Sequence, residues 1–185
     1  MSDLVYTRVS SDSELNDILQ LQKENLPVNL SENEIKNQGF LTVSHNLQIL
    51  KILDEIEPAI IGKNENGVVA YILAMTENSK EQLPILEEMF CKFKEVRYLN
   101  EPISTYNYVV VGQVCVAKQY RGKGVFENCY HLYKNSFKAS YDFAVTLISS
   151  RNTRSLNAHT KLGFEIVHNY TSPDGEKWNI AILAW

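Results

Sequence analysis

No apolar run in the 185 residues approaches the ~20 that a membrane-spanning helix needs. The first residues, MSDLVYTRVSSDSEL, also lack the basic start and apolar segment of a secretory signal, so a cytoplasmic protein without membrane attachment is expected. Cysteine is scarce. Cys91, Cys115 and Cys129 are odd in number and form no Cys-x-x-Cys pair, so buried free thiols are expected rather than a disulfide framework. No set of His, Cys, Asp and Glu has metal-ligand spacing. Repeats, low-complexity tracts and linkers are missing too, which leaves one domain over residues 1–185.

What is there suffices for a core. Hydrophobic residues make up 44% and aromatics 10% of the chain, and a chain of this length can bury roughly 70% of its unfolded surface. Charge is unevenly spread beneath a net −4. Between Lys118 and Lys161 stand eight Lys/Arg against two acidic residues, Glu127 and Asp142, so that segment is about +6 and the remainder about −10. A short basic region in an acidic chain argues against nucleic acid as a partner. It suits a polyanionic ligand at one end and a cationic substrate at the other, although a solvated acidic surface accounts for the −10 equally well.

Periodicity and breakers place the elements. Leu4 to Ser10 alternates as a strand, and Ser11-x-x-Glu14 reads as a capping box for a helix with Leu15, Ile18 and Leu19 on one face, running to about Asn25. Ser31-x-x-Glu34 caps a short second helix that Gly39 can terminate, and Leu47, Leu50, Leu53 and Ile56 stripe a third before Pro58. Ala59 to Lys63 and Val68 to Met75 are strands joined by Asn64-Glu65-Asn66-Gly67, whose Asn-Gly signals a hairpin. From Ser79 to about Val96 the pattern is helical, with Leu83, Leu86, Phe90 and Phe93 inward. Residues 79–103 look like an insertion before the strand that begins near Tyr106, in which Gly112 suggests a bulge or a close backbone approach. Phe143 to Ser149 is a short buried strand, Asn152 starts a helix that Gly163 ends, and Phe164 to Tyr170 and Lys177 to Trp185 are two closing strands. The order βααα-ββ-α-βαβα-ββ is that of a mixed sheet covered by helices.

The stretch that carries chemistry is Gln119-Tyr120-Arg121-Gly122-Lys123-Gly124-Val125. It joins the strand YVVVGQVCV, Tyr108 to Val116, to a helix with Phe126, Tyr130, Tyr133 and Phe137 on one face. Glycines separated by one residue allow a tight turn, and the N–H groups that follow have no helical partner, so a helix start of this kind attracts anions. Arg121, Lys123 and Lys118, with no carboxylate between them, point to phosphate or pyrophosphate. Two familiar phosphate loops are excluded, since there is no G-x-x-x-x-G-K-[ST] and no third glycine after Gly124 to complete G-x-G-x-x-G. Taken alone, a Gly-x-Gly between strand and helix is often only a turn.

A second stretch, NTRSLNAHTKLGF from Asn152 to Phe164, stands the right distance downstream. Together, Q-x-x-G-x-G after a Val-rich strand, and Asn152, Ser155, His159 and Gly163-Phe164 at their offsets, resemble the two signatures of the GNAT superfamily of N-acetyltransferases. The resemblance covers nearly the whole chain, strongly from Tyr106 to Val167 and loosely before. It implies an α/β (α+β) fold with a mixed, mainly antiparallel central sheet of about seven strands, flanked by helices and splayed at the acyl-CoA loop. It also implies acetyl-CoA as cosubstrate and no metal. By resemblance, Val114 and Val116 offer main-chain groups to pantetheine, Gln119 and Arg121, Gly122, Lys123, Gly124 and Val125 line the pyrophosphate, and Asn152 and Ser155 contribute from the following helix. Arg151 and Arg154 either meet further CoA phosphates or are solvated side chains.

The reaction so implied is direct attack of a primary amine, on a small molecule or a protein, on the thioester of acetyl-CoA in a ternary complex. A main-chain N–H near Val114 would stabilise the oxyanion. His159 stands where relatives usually have a tyrosine acting as general acid, and it is either that acid or a helix histidine satisfied by a neighbouring backbone carbonyl. His131 reads as structural, and His45 and His168 carry no assignment. The loop strand has no carboxylate from Pro102 to Val116, so the base is open between Glu77, Glu101 and a water relay. The different-class alternative is an acyl-CoA-binding module that has lost catalysis. The acceptor, and the choice between monomer and homodimer, are not legible.

Overall fold

The computed structural model describes residues 4–80 and 86–185. Its centre is a seven-stranded sheet in the order β1-β2-β3-β6-β7-β9-β8, built from β1 (Val5–Arg8), β2 (Ile60–Asn64), β3 (Gly67–Met75), β6 (Tyr108–Val116), β7 (Phe143–Ser149), β8 (Glu165–Thr171) and β9 (Lys177–Ala184). Every neighbouring pair is antiparallel except β6 and β7. A separate two-stranded ribbon, β4 (Arg97–Tyr98) and β5 (Glu101–Pro102), turns through Leu99 and Asn100, both at positive φ. Among the described residues no helix is long and apolar enough to cross a membrane.

Helices cover both faces. On one face α1 (Asp12–Glu24), α3 (Leu47–Ile56) and α4 (Glu87–Glu95) bury Leu15, Ile18, Leu50, Leu53, Phe90 and Phe93 against the sheet. On the other, α5 (Val125–Phe137) buries Cys129, Tyr130, Tyr133 and Phe137, with Phe164 beside them at the end of α6 (Thr153–Leu162). The short α2 (Glu32–Gln38) has the full capping box read from Ser31 and Glu34. At α1 the box is incomplete: Ser11 accepts from the Glu14 N–H, but the Glu14 carboxylate turns to the N–H and hydroxyl of Ser10 and to Lys63. The helix expected from Ser79 is a 3-10 turn at Glu77–Lys80 followed by α4, and Leu83 lies outside the described residues. Cys115 and Cys129 are buried as expected, whereas Cys91 is exposed on α4, where its neighbours Phe90 and Phe93 take the inward positions.

Two irregularities in β6 create the site. First, Leu73 pairs with Gln113 and Ala74 with Val111, so Gly112 has no partner and forms the expected bulge. A Cβ there would collide with the Met75 thioether. The extra residue reverses which face each side chain takes: Tyr108 and Val110 face the α1/α3/α4 core, but beyond the bulge Cys115 does so and Val116 faces α5. Second, β6 pairs with β7 only from Tyr108 to Val110 against Phe143 to Val145, and past that point the parallel strands diverge.

Candidate functional site

The loop expected to bind phosphate lies at the open end of this splay. After a 3-10 turn at Lys118–Tyr120 the chain passes Gly122 and Gly124 at φ of 69° and 76°, left-handed values that favour glycine. A Cβ on Gly122 would meet nothing within 4 Å, and one on Gly124 would meet only the Asn128 amide at 4.0 Å. The loop is therefore an open cradle rather than a crowded turn. Gly124 begins α5 with no side-chain cap, so its first N–H groups are left for a ligand at the positive end of the helix dipole.

The loop cations are mostly engaged elsewhere. Arg121 donates from Nε to the Val116 carbonyl (2.8 Å), from Nη2 to Asn25 Oδ1 (2.6 Å) and from Nη1 to the Gln38 carbonyl (3.2 Å). Lys118 pairs with Glu34 at 2.9 Å, and Lys123 lies over the Tyr120 ring. The loop is thus stapled to the ends of α1 and α2, and what it offers a ligand is chiefly backbone. Besides Arg121, positive charge reaches the cleft from α6, through Arg154 and Lys161, neither of which has an ion-pair partner among the described residues. Arg151 does not line the cleft: its guanidinium binds Glu176, whose Oε1 also accepts from Ser149 (2.5 Å).

Two cavities follow the splay. The larger, about 470 Å³, runs from Tyr120, Arg121 and Gly122 along Val116 and Val114 to α6. The smaller, about 60 Å³, lies between the bulge, β7 and Trp178. Phe40, Leu41, Val114, Asn152, Ser155 and His159 line both, so the two meet over the middle of β6. The Ala117 N–H bonds to Val69 on β3, and by strand alternation the N–H and C=O of Val116 and Val114 point the other way, into the splay. The Val116 carbonyl is taken by Arg121, whereas Val114 presents both groups where the cavities join.

His159 is 2% exposed and held on both ring nitrogens. Nδ1 is 2.8 Å from the Ser155 carbonyl oxygen, which can only accept, so Nδ1 carries the hydrogen and Nε2 accepts from the Tyr130 hydroxyl at 2.8 Å. Burial pulls its pKa down to about 4. The imidazole is neutral near pH 7 and its one N–H faces backbone. Asn152 is buried too: its Oδ1 accepts from the Ser155 N–H as the α6 cap, and its Nδ2 donates to the Phe40 carbonyl at 2.8 Å.

That last bond belongs to a strap. Residues 39–45 cross the splay, tied to α6 by Asn152, to α1 by Leu41 N–H on the Asn25 carbonyl, and to β6 by Gln113 Nε2 on the Val43 carbonyl (2.8 Å). Gln113 is itself fixed by the buried Tyr71 hydroxyl at 2.6 Å. Of the residues expected at the cofactor, Val114, Val116, Arg121, Gly122, Asn152 and Ser155 line the larger cavity; Gln119, Lys123, Gly124 and Val125 stand beside it without lining it. Glu77 and Glu101 line neither cavity. Asn25, Phe40 and Leu41 also line the larger cavity, and the sequence does not signal them, because the only motifs of the helices they flank are caps.

No protein-family model matches the chain, and no curated protein does. Solved structures do. A GNAT-family acetyltransferase from Streptococcus agalactiae is similar with a TM-score of 0.68 at 14% identity, over 98% of this chain and 95% of that one. The NatC complex bound to Gag peptide and CoA has a chain similar with a TM-score of 0.65 at 14% identity, over 99% of each. Ard1 from Thermoplasma volcanium is similar with a TM-score of 0.65 at 10% identity, over 98% and 97%. The chain has the GNAT acyl-CoA N-acyltransferase fold.

Proposed function

We propose that the protein is an N-acetyltransferase that moves the acetyl group of acetyl-CoA to a primary amine by direct attack in a ternary complex. The observation that carries this is the meeting of two cavities at Val114. The larger begins at an uncapped helix start and an open glycine cradle, as a CoA pyrophosphate requires, and the smaller admits a second molecule from the opposite side. The NatC relative is CoA-bound, which supports the choice of donor.

In this reading Val114 N–H donates to the thioester oxygen as it becomes an oxyanion. The amine nitrogen bonds to the carbonyl carbon, the C–S bond breaks, and the thiolate takes a proton from solvent. A thiol pKa of about 8.5 makes it a good leaving group without a strong acid. His159, with its Nδ1 hydrogen on the Ser155 carbonyl, acts as a positioning residue that fixes the first turns of α6 against Tyr130. An ammonium of pKa about 10.4 must lose its proton before attack. Since no carboxylate lines the smaller cavity among the described residues, a water relay to solvent is the route that fits.

The bonded state of His159 also favours a second reading, an acyl-CoA-binding module without turnover. Thermal unfolding with acetyl-CoA and with ATP, followed by an amine panel scored for CoA release, separates the two. Protection by acetyl-CoA well above that by ATP, with amine-dependent CoA release, supports the enzyme; protection with no release on any amine supports the module.

A further inference from the structure

The smaller cavity restricts what the acceptor can be, an inference that rests on the acetyl-transfer reading above. At about 60 Å³ against about 470 Å³ for the larger cavity, it is a narrow slot, so the part of the acceptor next to the reacting nitrogen has to be slim. The width is set by bonded parts. One wall is the strap, held at Phe40 by Asn152 and at Val43 by Gln113, which Tyr71 holds in turn. Another part of the lining is Trp178, whose Nε1 donates to Ser172 Oγ at 3.1 Å. The mouth opens at Thr42 and Gly112, both exposed.

Charge restricts the acceptor as well as size. Among the described residues, no Asp, Glu, Lys or Arg lines the slot, and the ion pair that adjoins it through Ser149, Glu176 with Arg151, is already satisfied. A carboxylate one carbon from the reacting nitrogen would be desolvated there without a partner, which is costly. A substituent on that same carbon would press on the strap or on Trp178.

We infer that the acceptor is an aminomethyl group, R–CH2–NH2, with no charge next to the reacting nitrogen and the remainder of the molecule lying beyond the mouth. Lysine-type side chains, linear alkylamines and glycine amides meet this description; α-branched amines and free α-amino acids do not. One misplaced methyl in a close-fitting pocket is worth roughly 10–200-fold in kcat/KM.

The test is a comparison of glycinamide with alaninamide, which differ by one methyl on the carbon that bears the amine. Measured as acetyl-CoA-dependent CoA release by the wild-type protein and by Trp178→Ala, wild type is expected to prefer glycinamide by at least about tenfold. Opening the wall in the variant is expected to bring the ratio below about threefold. Equal kcat/KM in the wild type would overturn the slot assignment while leaving acetyl transfer standing. An unchanged preference in the variant would move the selection away from this slot and overturn it too. No release with these or any other amine would overturn the acetyl-transfer reading, and this inference with it.

Discussion

His159 has two ring partners, and its protonation follows from them. With a pKa of about 4 against about 6.5 in an unfolded chain, the folded protein binds fewer protons than the unfolded one between those values. The stability this site contributes is therefore complete above pH 6.5 and lost as pH falls toward 4. Between pH 7.5 and pH 5.0 the loss from His159 is about 2 kcal/mol. His45, also held down to about 4 by burial, adds in the same direction. Urea unfolding at the two pH values should show His159→Gln losing less stability on acidification than wild type; equal losses would contradict a buried neutral imidazole. Arg121 makes a second prediction at this scale. Its three donors reach Val116, Asn25 and Gln38 in one planar fork, which an ammonium cannot reproduce. Arg121→Lys should cost about 2 kcal/mol by thermal unfolding, and wild-type stability in that variant would remove the staple from the account.

Among the elements, the loop Gln119 to Val125 and helix α5 act through backbone geometry, so their test is a substitution that changes that geometry. Gly124→Glu introduces a side chain and a negative charge into the open cradle, and acetyl-CoA should then give no thermal protection. Gly175→Ala is the control, because Gly175 shares the positive φ (86°) with nothing within 4 Å of its would-be Cβ, but stands in the β8–β9 turn. It should lose about 1 kcal/mol from the strained conformation and keep full protection. Protection retained in Gly124→Glu would sink the loop assignment. Elements whose signals are local were readable from the chain: Asn152 and Gly163 bound α6, and Gly112 marked the bulge. The Ser11 box is only half formed because the Glu14 carboxylate is taken by Ser10 and by Lys63, a partner 49 residues away, and the Leu99-Asn100 turn has no glycine to signal it.

For the whole molecule, the end of the cleft at the glycine loop and α6 is legible because two sequence stretches carry it, while the end under residues 39–45 is not. The strap reaches its anchors across long intervals, 112 residues from Phe40 to Asn152 and 70 from Val43 to Gln113, and no spacing rule spans them. The same distance hides the protein partners of the loop cations: Asn25, Glu34 and Gln38, which engage Arg121 and Lys118, lie more than 80 residues upstream. On the proposed reading, acetyl-CoA enters at one end of the splay, an aminomethyl acceptor at the other, and Val114 stands between. The direct measurement is mass spectrometry of a reaction containing the protein, acetyl-CoA labelled with carbon-13 in its acetyl group, and glycinamide. The account predicts labelled N-acetylglycinamide and free CoA in equal amounts, formed only with protein present. Acetyl-CoA that binds the protein and is recovered intact, with no labelled amide from glycinamide or any other amine, would contradict it.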